Sequence, residues 1–201
     1  ATLWDRSVAM ASALVAAGVD CDTRVGILMT NRPEFLSALY GVALAGGVAV
    51  VFSTFSTAHE LEQLLALSDV AVLMYEARVL KTDFGQVLAT LEPHILTAAP
   101  GDLQSVRFPF LRRLVHLDPV TTDSESAALG ITCSEHWGDF LERGASVSTA
   151  RIDARAARRT PGDAGAVFFS SGTTSLPKGI LHSQRAFALQ WWRYPRLAGV
   201  D

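Results

Sequence analysis

Apolar residues recur at helical spacing over Thr2 to Ala17, where Leu3, Val8, Met10, Ala11, Leu14 and Val15 share a stripe that stops at Gly18, a natural C-terminal cap. Arg24 to Met29 then runs nearly without polar alternation, the pattern of a strand buried on both faces. Asn31-Arg32-Pro33 turns the chain into a second helical stretch through Ala45, with Pro33 in the first turn, where a missing N–H costs nothing. Gly46-Gly47 ends that stretch, and Val48 to Phe52 is the next predicted strand. Thr57-Ala58-His59-Glu60 has capping-box spacing and opens a helix through Leu67, followed by a third apolar strand at Val70 to Met74. The order β-α-β-α-β with short links predicts an α/β fold, a mostly parallel sheet flanked by helices.

The pattern weakens after residue 76. Thr82 to Leu91 is predicted as a helix, and His94 to Ala98 and Leu114 to Leu117 as strands. Asp118 to Glu135 is a polar, Ser/Thr-rich stretch expected to be a mobile connection, with Ser134-Glu135 starting a short helix through Leu141. Arg151, Arg155, Arg158 and Arg159 precede Pro161-Gly162-Asp163; a helical plot spreads them around a polar surface, as a solvated connector or an anion-steering cluster. The expected organisation is therefore residues 1–76 as the β-α-β-α-β part, 77–160 as a variable middle, and 161–201 as a loop segment with its following helix.

Composition removes several classes. The 201 residues are 49% hydrophobic and only 18% charged, with mean hydropathy +0.26, so the chain folds rather than remaining disordered. Its 17 basic and 20 acidic residues give a formal charge of -3, which offers no footprint for nucleic acid or anionic lipid. Any bound anion must be held locally. Phe35 to Ala58 carries no formal charge over 24 residues, but the Gly pair and the hydroxyls at Ser53, Thr54, Ser56 and Thr57 break it into soluble elements rather than a transmembrane span. Cys21 and Cys133 lie far apart without zinc-type or disulfide spacing, which fits a reducing, cytoplasmic setting. No signal-peptide pattern opens the chain, no Met initiates it, and it stops just past a helix-like run, so it reads as an excerpt of a longer polypeptide.

The chemistry concentrates in Val167 to Ile180. An apolar strand ends in Ser170, Ser171, Gly172, Thr173 and Thr174, then passes Pro177 to Lys178. Four hydroxyls can donate to phosphate oxygens, Gly172 permits close backbone approach, and Lys178 supplies a cation. A Walker A loop is excluded, because Pro177 stands where that pattern needs Gly and Gly179 where it needs Ser or Thr.

Phe169-Ser-Ser-Gly-Thr-Thr-Ser-Leu-Pro-Lys-Gly179 resembles the phosphate-binding signature of the adenylate-forming (AMP-binding) superfamily, in its acyl-CoA synthetase and aryl-CoA ligase branch. The stretches Ala17-Gly18-Val19, Arg24 to Leu28, Asn31 to Phe35, Ala45 to Val50 and Pro161 to Ala164 are also similar to that family, so the likeness covers residues 3–76 and 161–190. The resemblance implies an incomplete N-terminal domain of an enzyme that activates a small-molecule carboxylic acid with ATP and Mg²⁺ as an acyl-adenylate, then captures it with coenzyme A. It assigns Ser170, Ser171, Gly172, Thr173, Thr174 and Lys178 to the ATP phosphates and no metal ligand to this chain. It also implies that the catalytic residues, adenine contacts and acyl pocket come later in the polypeptide, so this chain alone is expected to complete neither half-reaction. An adenylation domain loading a carrier protein and a non-catalytic nucleotide-binding or structural fragment are the alternatives.

Two departures from the family stand out: Ser175 replaces a usual glycine, and Gln184 stands where histidine is frequent. His182-Ser183 is not expected to form a nucleophile–base pair, since adjacent strand residues point to opposite faces. His59, His94, His116 and His136 lack metal-ligand spacing and read as surface or satisfied core histidines. Phe187, Trp191 and Tyr194 fall on one helical face, expected to pack on the core rather than to stack bases.

Overall fold

A computed structural model of the chain describes residues 1–118, 131–170 and 177–199. Helix α1 (Leu3–Ala16) begins with a capping box in which Thr2 and Asp5 satisfy each other's backbone N–H, worth about 1 kcal/mol. It ends at Gly18, whose φ of 88° lets the Val19 N–H reach the Leu14 carbonyl at 2.9 Å. Strand β1 (Arg24–Leu28), helix α2 (Pro33–Ala45), strand β2 (Val48–Val51) and helix α3 (Ala58–Ser68) follow. Pro33 sits in the first turn of α2 and the Thr57–Glu60 capping box opens α3, both where the sequence places them.

Strand β3 (Val72–Glu76) starts two residues later than its apolar run and extends into a carboxylate. A short hairpin of β4 (Arg78–Val79) and β5 (Thr82–Asp83) then leads into α4 (Phe84–Leu91). The predicted helix thus begins at Phe84, because Asp83 serves as its N-cap, accepting from the Gln86 N–H at 2.9 Å. His94 to Ala98 is not a strand. Pro93–Leu96 forms a 3-10 turn, with the Glu92 side chain accepting from the His94 N–H at 3.2 Å. Strand β6 (Arg113–Leu117) agrees with expectation, whereas Ser134–His136 forms strand β7 and the helix α5 (Trp137–Glu142) starts only after it. Most of the polar connection predicted as mobile, residues 119–130, lies outside the described residues. Helix α6 (Thr149–Ala157), strand β8 (Ala164–Ser170), strand β9 (Lys178–Ser183) and helix α7 (Gln184–Ala198) complete the order.

Seven strands form one sheet in the order β7-β6-β3-β1-β2-β8-β9, parallel throughout except for the antiparallel β8–β9 pair at one edge. Alternate residues point to two cores. Val25, Ile27, Ala49, Val72, Met74 and Val115 join Met10, Leu14, Leu39, Val42, Phe140 and Ile152 on the α1/α2/α5/α6 face. Val50, Leu73, Tyr75 and Leu114 join Leu61, Leu64, Phe84 and Leu88 on the α3/α4 face. Each such large side chain contributes roughly 1.5–3 kcal/mol by leaving water. The uncharged stretch from Phe35 is divided between α2 and β2, and among the described residues no helix is long and apolar enough to cross a membrane.

Candidate functional site

The six parallel strands end on one edge of the sheet. In open α/β sheets ligands settle outside such carboxyl ends, and the point where connections diverge is the first place to look. Here β1 leads to β2 on one side while β3 connects toward β6 on the other, so that point lies between β1 and β3. It is filled by the chain's own polar groups. Glu76, only 2% exposed, accepts from the Thr30 N–H at 3.2 Å and from its hydroxyl at 2.7 Å, with Arg32 Nη1 at 3.4 Å. Arg32 also bonds Glu34 and the Asp118 carbonyl, which ties the network to the end of β6. The buried carboxylate also explains why β3 outlasts its apolar run: its charge is paired rather than stranded.

The strand ends that flank the hydroxyl-rich segment lie on the same edge, where β8 pairs with β9. Ser170 ends β8, Lys178 begins β9, and the two are direct cross-strand partners. Facing residues in such a pair have Cβ atoms about 4.5–5.5 Å apart, so one hydroxyl and one exposed ammonium flank the mouth of the loop. Of the six residues assigned to phosphate, the structure brings these two together. Ser171, Gly172, Thr173 and Thr174 lie outside the described residues.

The base of the hairpin is fixed by polar contacts that the sequence shows only in part. Asp163 accepts from the Thr160 N–H at 2.7 Å and its hydroxyl at 2.8 Å, and Arg159 lies 3.2 Å from the same carboxylate. The Thr160 backbone hydrogen bond is the main cause holding the Asp163 carboxyl below its ordinary range. The first N–H groups of α7 donate into this turn, Gln184 to the Asp163 carbonyl and Arg185 to the Pro161 carbonyl. Gln184 Nε2 also donates to the Ala164 carbonyl at 3.2 Å, so the residue in the histidine position anchors α7 to β8. Ser183 Oγ accepts from the Ala186 N–H at 3.2 Å and His182 lies edge-on to Phe168, giving these neighbours separate structural tasks.

Beside the hairpin mouth is a concavity of about 400 Å³ bordered by Ser53, Phe55, Ser56, Glu60, Ser170 and Pro177. Ser53 Oγ accepts from the Phe55 N–H at 3.2 Å, and Phe55 is 86% exposed. Neither Ser53 nor Phe55 is among the residues that the sequence assigns to phosphate; the hydroxyl cluster after β2 reads there only as evidence against a membrane span. The Glu60 carboxylate accepts from the Thr57 N–H at 2.7 Å, the main cause holding it below its ordinary range. The capping box thus pairs the Thr57 and Glu60 N–H groups at the N-terminus of α3 and places the Glu60 carboxylate beside the concavity.

The arginine cluster divides: Arg151 and Arg158 are exposed, as a solvated surface requires, whereas Arg155 and Arg159 are tied into the fold. Arg155 Nη1 donates to the carbonyls of Val19 and Ala45 and to Asp20, at 3.1 to 3.2 Å, while Arg159 pairs with Asp22 and Asp163. These guanidiniums bind the end of α6 to the turns after α1 and α2. On α7, Phe187 packs against the core but Tyr194 is 64% exposed, so the expected packed face does not extend that far. His116 Nδ1 lies 2.9 Å from Ser134 Oγ, which also meets the Tyr75 hydroxyl, as expected of a satisfied interior histidine. Among the described residues no three His, Cys, Asp or Glu side chains are grouped to hold a metal ion.

The architecture is an open, mostly parallel α/β sheet whose carboxyl edge carries the β8–β9 pair with Ser170 opposite Lys178. Residues 1–197 match the model of the AMP-binding enzyme family, and the chain belongs to that family. It is 29% identical over 171 residues to YngI of Bacillus subtilis, covering 85% of this chain and 30% of that protein. It is 30% identical over 192 residues to a propanoyl:CoA ligase of Mycobacterium tuberculosis whose acyl group carries a methyl-dioxo-octahydroindenyl ring system, covering 94% and 32%. The fold also matches the anthranilate CoA ligase AuaEII solved with anthranoyl-AMP, at TM-score 0.70 and 19% identity, over 96% of this chain and 31% of that one. The chain thus spans about a third of the length of the relatives it matches.

Proposed function

We propose that the polypeptide carrying this chain is an acid–thiol ligase of the acyl-CoA synthetase type, and that this chain supplies the grip on the ATP phosphates. A carboxylate oxygen of the substrate bonds to the α-phosphorus of ATP as the bond to pyrophosphate breaks, giving an acyl-adenylate. The sulfur of coenzyme A then bonds to the acyl carbon and AMP leaves. The single observation that carries this reading is the β8–β9 hairpin, which sets Ser170 opposite Lys178 at the root of the family's signature loop.

The residues fit a polyphosphate chemically. Lys178 offsets negative charge on the departing pyrophosphate, while the hydroxyls of Ser170, Ser171, Thr173 and Thr174 donate to β- and γ-phosphate oxygens, with Gly172 giving the backbone room to approach. Rate enhancement from such a loop is positioning and charge neutralisation, and none of its residues is a nucleophile. Mg²⁺ bound with ATP would supply further charge neutralisation at the phosphates, beside the cation offered by Lys178.

The test is pyrophosphate release by the polypeptide carrying this chain, assayed against a panel of carboxylic acids with ATP and Mg²⁺, with and without coenzyme A. Acid-dependent release followed by coenzyme A-dependent thioester is the expected result. Release that requires a carrier-protein thiol instead would reassign the acceptor, and absence of acid-dependent release would overturn the ligase reading.

A further inference from the structure

Immediately behind the hairpin mouth, two phenylalanine rings are stacked across the sheet. Phe52, just past β2, and Phe169, the residue before Ser170, have ring centroids 5.9 Å apart and planes inclined by only 11°. Both lie on the α3/α4 face, and Phe52 is 2% exposed. Glycines on the flanking strands make room for this pair. A Cβ at Gly26 of β1 would stand 2.7 Å from the Phe52 ring and 2.8 Å from Leu73, distances that real side chains do not tolerate. On the other side, Phe169 is the cross-strand partner of Gly179, where a Cβ would come within 3.4 Å of the Phe169 ring and 3.3 Å of Val167. A continuous row therefore runs from Gly26 through Phe52 and Phe169 to Gly179, and its outer end is flanked by Ser170 and Lys178.

We propose that Phe52 is a positioning residue for the nucleotide phosphates. Stacked rings resist sliding and tilting because offset overlap is favoured over other contacts, so the pair fixes the end of β8 relative to the centre of the sheet. The end of β8 carries Ser170, and the backbone ladder from β8 to β9 carries Lys178. Phe52 is 2% exposed and, with Phe169, forms the inner wall of the concavity beside the hairpin mouth; its effect on Ser170 and Lys178 runs through the Phe169 ring. A Cβ at 179 would touch the Phe169 ring at ordinary contact distance but crowd Val167 at 3.3 Å, so glycine there spares β8 next to the stack. This role rests on the ligase reading, since it concerns where the ATP-binding groups stand.

The experiment measures KM for ATP, KM for the carboxylic acid and kcat in the polypeptide carrying this chain, for Phe52→Leu, Gly179→Ala and the control Val50→Ala. Val50 of β2 is buried in the same core as Phe52, two residues before it, so its truncation reports loss of packing without loss of the stack. Phe52→Leu keeps an apolar side chain and removes the flat ring; it is expected to raise KM for ATP about tenfold, the scale of a small misplacement of binding groups, and to leave KM for the acid within about twofold. Gly179→Ala, which crowds Val167 of β8 beside the stack, is expected to act in the same direction with a smaller rise, and decides the matter if Phe52→Leu does not fold. Val50→Ala is expected to leave KM for ATP unchanged. An active wild type whose ATP dependence moves equally in Val50→Ala, or not at all in Phe52→Leu and Gly179→Ala, would overturn the positioning role alone. A wild type with no acid-dependent use of ATP would overturn the ligase reading and this role together.

Discussion

Residues 1–76 and the segment from β8 to α7 solve opposite problems. From α1 to β3, every strand is covered on both faces, and side chains such as Leu14, Ile27 and Leu73 are fully buried. From β8 to α7, the sheet ends in a strand whose Ile180 and Leu181 are 47% and 62% exposed, and Trp192 and Leu197 of α7 are exposed as well. A groove of about 1180 Å³ separates α7 from α1 and α2. The well-covered region holds the fold, while the sparsely covered region carries the residues proposed to meet phosphate. Local stability follows the density of buried apolar contacts, so the two regions should respond differently to the same kind of change.

The largest contrast is expected from apolar truncation. Phe140→Ala removes a fully buried ring from the α1/α2 core and should cost about 3–5 kcal/mol in urea unfolding of this chain. Leu181→Ala on the exposed edge should stay within about 0.5 kcal/mol. Equal losses at the two sites would break the comparison.

The arginines sharpen it at a smaller scale. Arg155→Ala leaves the Val19 and Ala45 carbonyls and Asp20 without their shared cation and should cost about 2 kcal/mol, since hydrogen bonds to charged groups are the stronger kind. Arg158→Ala, one turn on and exposed, should change the unfolding midpoint little, by about 0.5 kcal/mol at most.

Dependence on pH should separate the regions by direction. Burial pushes the Cys133 thiol up to about 11 from an ordinary 9.0, and burial likewise pushes the Tyr75 hydroxyl up to about 12 from 10.0. Both groups keep their protons longer in the folded than in the unfolded chain. The stability they contribute is complete below pH 9 and is lost as pH rises from 9 through about 12. Asp163 at the hairpin base behaves oppositely. Its carboxyl is held below the ordinary 3.8 chiefly by the Thr160 N–H, so its contribution is present above that value and fades as pH falls through the lowered one. Unfolding titrations on Tyr75→Phe and Asp163→Asn should flatten the alkaline and the acid limb respectively. An alkaline limb unchanged in Tyr75→Phe would show that the buried hydroxyl does not contribute to it.

Much of the covered region was legible in the sequence because its local signals agree with its tertiary partners. Pro33, Gly46 and the Thr57–Glu60 box mark helix ends, and unbroken apolar runs mark strands buried on both faces. The failures fall where backbone pairing or side-chain caps override hydrophobic pattern. Ser134–His136 is a strand without one aliphatic residue, joined to β6 by its ladder and by the Ser134 hydroxyl. His94 looked extended among apolar neighbours, but Pro93 and the Glu92 cap favour a tight turn. The antiparallel course of β9 was open to inference, because the seven residues from 171 to 177 are too few for a parallel crossover. At the site, the residue types of the loop announced phosphate chemistry. The support did not: Phe52, Asp163 and Gln184 act through geometry that no local pattern encodes.

The central claim is that the β8–β9 hairpin holds the tail of ATP, and calorimetric titration of Mg²⁺–ATP into the polypeptide carrying this chain tests it most directly. Wild type should bind, with Thr174→Ala and Lys178→Ala each weakening affinity by about tenfold, the order expected when a charge-assisted contact is lost. Unchanged affinity in both variants, with the fold intact, would contradict the account.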